Sequence, residues 1–185
     1  ALPIYLILRK TRSLVRDLTP EERTRLNNAG KSGLFMTGDS GSTTPIPDES
    51  VTLTVTSPPF LDTVQYAKDN WLRCWFCGID AVAVERGLTV TRSLADWCNA
   101  MGSTFRELFR ITVPGGYVAF EVGEVRGGSI LLDEQVLPVG AAAGFVPLGI
   151  LVNLQQFTKT SHIWGIGNNA SGTNTNRIVV FRKEV

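Results

Sequence analysis

The sequence predicts an α/β fold: a mainly parallel, Rossmann-like sheet covered by helices on both faces, with an antiparallel hairpin at its C-terminal edge. Three observations carry this reading. The run Val51-Thr52-Leu53-Thr54-Val55 is rich in β-branched residues and reads as a buried strand. A helix opens at Ser93, with Asp96 three residues on, and repeats Leu94, Trp97, Met101, Phe105, Leu108 and Phe109 at three- to four-residue spacing. It stops at Pro114-Gly115-Gly116, before a second buried run, Tyr117 to Val122. Strands and helices then keep alternating, the pattern of a parallel sheet with crossover helices.

The elements follow in order. Residues 1–33 read as helical, and Thr19-Pro20-Glu21-Glu22 has the capping-box pattern with proline at the first helical position. Gly30 and Gly33 close that segment. Leu34 to Thr37 is a short strand candidate ending at Gly38-Asp39-Ser40. Residues 41–50 carry Pro45 and Pro47 and read as a loop. After the strand at 51–56, residues 61–79 are dense in aromatics, with Trp71, Leu72, Trp75 and Phe76 spaced for one helix face, as core or as an association surface. Residues 130–144 read as a helix with Pro138 as a kink and Gly144 as its stop. Phe145 to Val152 returns to strand. Gln155–Trp164 and Arg177–Phe181 read as an antiparallel pair across a Gly/Asn-rich connection. Two parts result: a basic helical segment, 1–33, and an α/β domain, 34–185.

A chain of 185 residues suffices for one domain with a sizeable core. No apolar run approaches the roughly 20 residues that span a bilayer. The apolar start lacks the preceding basic residues of a signal peptide. Cys74, Cys77 and Cys98 form no disulfide framework, so a reducing, cytoplasmic setting is the expectation. Net charge is +1, which argues against a strong sequence-independent grip on phosphate. Residues 1–33 hold seven Lys/Arg against three acids, while the remainder holds eleven against fourteen. The basic segment suits either an arm tracking a nucleic-acid backbone or a solvated helix face.

Thr56-Ser57-Pro58-Pro59-Phe60 closes the strand at 51–55. Two successive prolines fix φ, remove two backbone donors, and bias the preceding residue away from helix. Carbonyl acceptors, a hydroxyl and an aromatic face are left at a strand's carboxyl end, where open α/β sheets bind ligands. Such a corner suits a flat ring bearing an amino group. Cys74-x-x-Cys77, Cys98 and His162 count to four zinc-ligand types, but a single CxxC in a helical stretch is a weak signal. Glu121 and Glu124 flank Gly123 past a strand end, as site-lining or solvated acids. Gly165-x-Gly167 opens no helix and reads as a hairpin loop.

Gly38-Asp39-Ser40, Ile46-Pro47-Asp48-Glu49-Ser50-Val51 and Thr56-Ser57-Pro58-Pro59-Phe60 together resemble the amino-group DNA methyltransferases. The passage Val113-Pro114-Gly115-Gly116-Tyr117-Val118 and the strings Phe157-Thr158-Lys159 and Asn176–Phe181 are similar to later parts of the same fold. The resemblance spans residues 34–183. It implies methyl transfer from S-adenosylmethionine to an exocyclic base nitrogen of DNA, with the target base flipped out of the duplex. It implies that the Ser57 hydroxyl and Pro58 carbonyl accept the amine's hydrogens, with Pro59 completing the rigid corner and Phe60 stacking on the ring. Serine at the first motif position favours N4 of cytosine over N6 of adenine. Asp39, with Ser40 beside it, matches an acidic segment near the cofactor's adenine in related folds. The chain departs from the family in lacking an Asp-x-Phe-x-Gly-x-Gly string for the cofactor. The expectation is therefore that a second chain, a second copy or a further segment completes the sheet. A domain without catalysis that binds nucleic acid or a partner is the alternative, and an RNA base or protein glutamine is an alternative substrate.

Overall fold

The computed structural model describes residues 2–59, 61, 66–88, 91–126, 128–154 and 175–184. The chain divides into two compact units, Ala1–Gly38 and Asp39–Val185.

The first unit holds α1 (Leu2–Leu14) and α2 (Pro20–Ser32). The capping box forms as read. The Glu22 amide donates to the Thr19 hydroxyl at 3.2 Å, and the Thr19 amide donates to the Glu22 carboxylate at 2.8 Å. Arg23 donates to the Val15 and Leu18 carbonyls, fastening α2 to the turn after α1.

Residues 33–37 form no strand. This corrects the strand expected at 34–37: the segment finds no pairing partner, and Leu34 and Phe35 lie exposed, so apolar content alone does not make a strand. Asp39 consequently does not sit at a strand end.

The second unit is built on β1 (Val51–Thr56), the short helices α3 (Tyr66–Asp69), α4 (Trp71–Cys77) and α5 (Ala81–Arg86), and the long helix α6 (Leu94–Ile111). These are followed by β2 (Thr112–Val122), a small hairpin of β3 (Glu124–Val125) and β4 (Ile130–Leu131), α7 (Leu132–Ala142), β5 (Val146–Leu154) and β6 (Thr175–Arg182). The four-stranded sheet has the order β1-β2-β6-β5. β1 pairs parallel with β2, and β6 runs antiparallel to both β2 and β5. Three strands thus share one direction and β6 opposes them. The expected antiparallel partner of β6 at 155–164 lies outside the described residues. The observed partners are β2 and β5, so β6 is an inner strand, and β5 is the outermost strand on that side among the described residues.

Helix α6 starts at a Ser93 cap, whose hydroxyl accepts from the Asp96 amide at 3.2 Å. Its stripe Trp97, Met101, Phe105, Leu108 and Ile111 is buried against Val118, Phe120 and Val122 of β2 and Val179 and Phe181 of β6. Phe105 stands 4.7 Å from Phe120 and 5.1 Å from Phe181, ring centre to ring centre. Each such ring adds about 2–3 kcal/mol by leaving water. Among the described residues, α6 and α7 cover one face of the sheet, while Leu53, Val55 and Leu151 are exposed. Trp71, Trp75 and Phe76 of α4 are likewise exposed and form no core.

The helix ends at Ile111 rather than at Pro114. Pro114-Gly115-Gly116 falls inside β2 as a bulge: Val51 pairs with Thr112, and Leu53 already with Tyr117. Gly115 takes φ +80° there, open to glycine without strain. Its amide donates to the Lys183 carbonyl, and the Lys183 amide donates to the Gly116 carbonyl.

Candidate active site

The parallel pairing brings the carboxyl ends of β1 and β2 side by side. Thr56 pairs with Phe120, so continuing that register sets Ser57 beside Glu121. Ser57 is exposed, and Pro58 and Pro59 are half-buried. Neither proline can donate to a ladder, so the strand stops where the motif begins. Phe60 lies outside the described residues. Leu61, one position on, is fully buried in the core. Behind the corner stands Trp97, whose indole N–H donates to the Pro59 carbonyl at 2.9 Å. Among the described residues, no hydrogen bond engages the Ser57 hydroxyl.

At the end of β2, Glu121 is half-buried and Gly123 is buried. The Gly123 carbonyl accepts from the Leu132 amide, at the start of α7. The Glu124 carboxylate accepts from the Thr175 hydroxyl. Below them lies a buried ion pair: Arg177 Nη1 donates to Asp133 Oδ2 at 2.9 Å. Among the described residues, Asp133 Oδ1 and Arg177 Nε are buried without a partner. This polar group anchors β6 against α7 beneath the strand ends.

Asp39 and Ser40 lie along α6. Asp39 Oδ1 accepts from the Gly41 amide at 2.8 Å, while its residue is exposed. The Ser40 and Thr104 hydroxyls share a hydrogen bond at 3.2 Å. The chain then runs down the helix. The Thr43 amide and hydroxyl both donate to Glu107 Oε1 at 2.6 Å, and Arg110 donates to Glu107, Asp48 and the carbonyls of Thr43 and Ile46. The Arg110 guanidinium, with Thr43, holds the Glu107 carboxyl down to about 2, and the two carboxylates push Arg110 upward in turn. This clamp fixes the path that delivers the chain to β1.

The sequence finds Ser57, Pro58 and Pro59 at one strand end and Glu121 near another, and the register of β1 with β2 sets Glu121 beside Ser57. Trp97 was legible only as an apolar helix position; its hydrogen-bonding role has no sequence signal. The chain's cysteines are unpaired, and among the described residues no group of three or more His, Cys, Asp or Glu side chains is placed to hold a metal ion. His162 lies outside the described residues. A groove of about 420 Å³ between α6 and α7, lined by Cys98, Ser103, Arg106 and Val139 among others, contains none of the corner's residues. Burial raises the Cys98 thiol pKa. No helix among the described residues is long and apolar enough to cross a membrane.

No family model matches the chain, and no curated protein matches it. Its structural neighbours include proteins described as S-adenosylmethionine-dependent methyltransferases. A candidate DNA modification methylase from Thermus thermophilus, solved with S-adenosyl-L-methionine, is 22% identical at a TM-score of 0.48. That match covers 80% of this chain and 52% of the other, so the chain spans about half the length of that methylase. A methyltransferase from Methanosarcina mazei is 11% identical, covering 91% of this chain and 80% of its own, at a TM-score of 0.46. The N-methyltransferase NodS from Bradyrhizobium japonicum is 12% identical, covering 91% and 71%, at 0.41. At these scores the fold assignment rests on the strand order itself.

Proposed function

We propose that the chain is an S-adenosylmethionine-dependent DNA methyltransferase domain acting on an exocyclic amine, with N4 of cytosine favoured over N6 of adenine. One observation carries the reading: a Ser-Pro-Pro corner at the carboxyl end of a parallel strand, with a hydroxyl free of partners among the described residues and a carboxylate in register beside it.

The chemistry asked of these residues is positioning. The Ser57 hydroxyl and the Pro58 carbonyl would accept the two amine hydrogens, turning the nitrogen lone pair toward the incoming methyl. Glu121, beside Ser57, would take the proton that the nitrogen sheds after transfer. Phe60 would stack on the ring, a contact worth about 1–3 kcal/mol. When bound, S-adenosylmethionine supplies an electrophilic methyl on its sulfonium sulfur. On the cofactor side the chain fits in part: the exposed Asp39 carboxylate can accept hydrogen bonds from the adenosine, whereas the Ser40 hydroxyl already meets Thr104.

A tritium-transfer assay from labelled cofactor to unmethylated DNA tests the reading. Labelled DNA is expected, with Ser57→Ala lowering the rate about 100-fold. No label above a heat-denatured control, at any DNA composition, would sink it. Label in RNA instead would move the substrate to an RNA base.

A second reading is favoured by β1, which is the outermost strand of the sheet among the described residues and carries Leu53 and Val55 exposed on one face. There the chain is one part of a larger sheet, completed by a partner chain or second copy, and binds nucleic acid without catalysing alone. Calorimetry separates the two, since micromolar cofactor binding by this chain alone contradicts the partial-domain reading.

A further inference from the structure

We propose that Trp97 is the positioning residue of the Ser-Pro-Pro corner, its indole N–H fixing the Pro59 carbonyl and thereby the direction of the Pro58 carbonyl. The inference rests on the reading of that corner as the amine acceptor.

The corner cannot hold itself. Pro58 and Pro59 lack N–H groups, so neither can donate a bond to neighbouring structure. Past Thr56 the strand ladder has ended, and the next firm anchor is the buried Leu61. Between them, Trp97 supplies the donor. The indole has one donor and no acceptor. At 1% exposure its ring has no room to turn away. A buried N–H that loses its acceptor is costly, so the bond holds both partners.

The geometry transmits this one bond to the reacting group. The proline ring locks φ of Pro59 near −65°. The peptide unit joining Pro58 to Pro59 is planar. With the Pro59 carbonyl held, a single soft torsion separates it from the Pro58 carbonyl. Trp97 occupies the Pro59 oxygen, which leaves the Pro58 oxygen to face the amine. The helix that carries Trp97 is itself held at both ends: by the Ser93 cap and by Arg110, whose guanidinium reaches Asp48 and the Thr43 and Ile46 carbonyls. It also continues into β2, so one rigid element sets both the corner and the strand that bears Glu121.

The test replaces Trp97 with 3-benzothienylalanine, which keeps the ring's shape and puts sulfur where the N–H was. Trp97→Phe serves as a second variant. The rate of methyl transfer in a single turnover is expected to fall about 10- to 100-fold, the scale of a small misplacement of reacting groups. Dissociation constants for DNA and cofactor, by calorimetry, are expected to stay within about twofold of the unmodified chain, as positioning without ground-state binding requires. Transfer at the unmodified rate in the sulfur analogue would overturn the inference. If the unmodified chain itself labels no DNA, the functional reading fails separately, and the corner is then read directly. Shifted amide resonances of Ser57 and Leu61 in the analogue uphold the positioning role, and unchanged resonances overturn it.

Discussion

A Cβ built on Gly140 would stand 2.5 Å from Cε1 of Phe181 and 3.1 Å from Cε1 of Phe105. The missing methyl lets α7 approach β6 closely enough to seal the aromatic cluster. Gly140→Ala is therefore expected to lower stability by about 1–3 kcal/mol, despite the better helix propensity of alanine. Urea denaturation at constant m checks this, and an unchanged midpoint would show that α7 can shift freely. Lys183 works at the same scale. It is buried, and its ammonium donates at 3.0 Å to Glu49 and to the carbonyls of Phe109 and Thr112, so three donors meet three acceptors. It also lies 4.5 Å from the Phe109 ring centre. Lys183→Met should cost about 1–3 kcal/mol, read as a lower urea midpoint, since two carbonyls lose a charged donor while Glu49 can turn to water. Neither residue was legible in the sequence. Gly140 falls in a predicted helix without any mark of the ring above it. Lys183 stands among surface-type residues, and its acceptor on Glu49 is 134 positions away.

At the scale of elements, α6 carries the most information and was also the most legible. Its cap and apolar stripe depend on neighbours within four residues, which is the range that sequence patterning reports. The segment 39–50 depends instead on what it meets. Its proline content reads only as loop, yet Glu107 and Arg110 of α6 clamp it into one path. The Pro114-Gly115-Gly116 bulge was hidden for a similar reason: those residues signal a stop, but bonds between Gly115, Gly116 and Lys183 keep the chain in the sheet. The clamp makes a pH prediction. The Glu107 carboxyl titrates near 2 when folded, below the usual carboxylate range near 4.3 in the unfolded chain. A folded pKa below the unfolded one means that its contribution is complete above about pH 5 and is lost as pH falls toward 2. Denaturation midpoints from pH 6 to pH 2.5 should therefore drop more steeply in the native chain than in Glu107→Gln. Parallel curves for the two proteins would show that the clamp contributes nothing measurable.

At the scale of the whole molecule, the buried core draws on residues from Leu61 to Phe181, with Ile46 packed against it, and the described part of it includes none from the first unit. The boundary between the units lies at Gly38, after a stretch without helix or strand in which Phe35 is 98% exposed. Exposed irregular backbone beside a large aromatic side chain is a preferred site for a protease. Brief chymotrypsin digestion should cut first after Phe35. The resulting large fragment keeps every described core residue, the clamp on α6, the Lys183 contacts and the Ser-Pro-Pro corner. Its thermal midpoint is expected within about 3 °C of the intact chain, because a change near 1 kcal/mol moves a domain of this size by about 2–4 °C. A fall beyond about 10 °C, or a loss of cooperativity, would show that the basic helices contribute to the fold of the second unit. A fragment of unchanged stability that binds DNA more weakly at low salt, but equally at high salt, would assign those helices to contacts with the phosphate backbone.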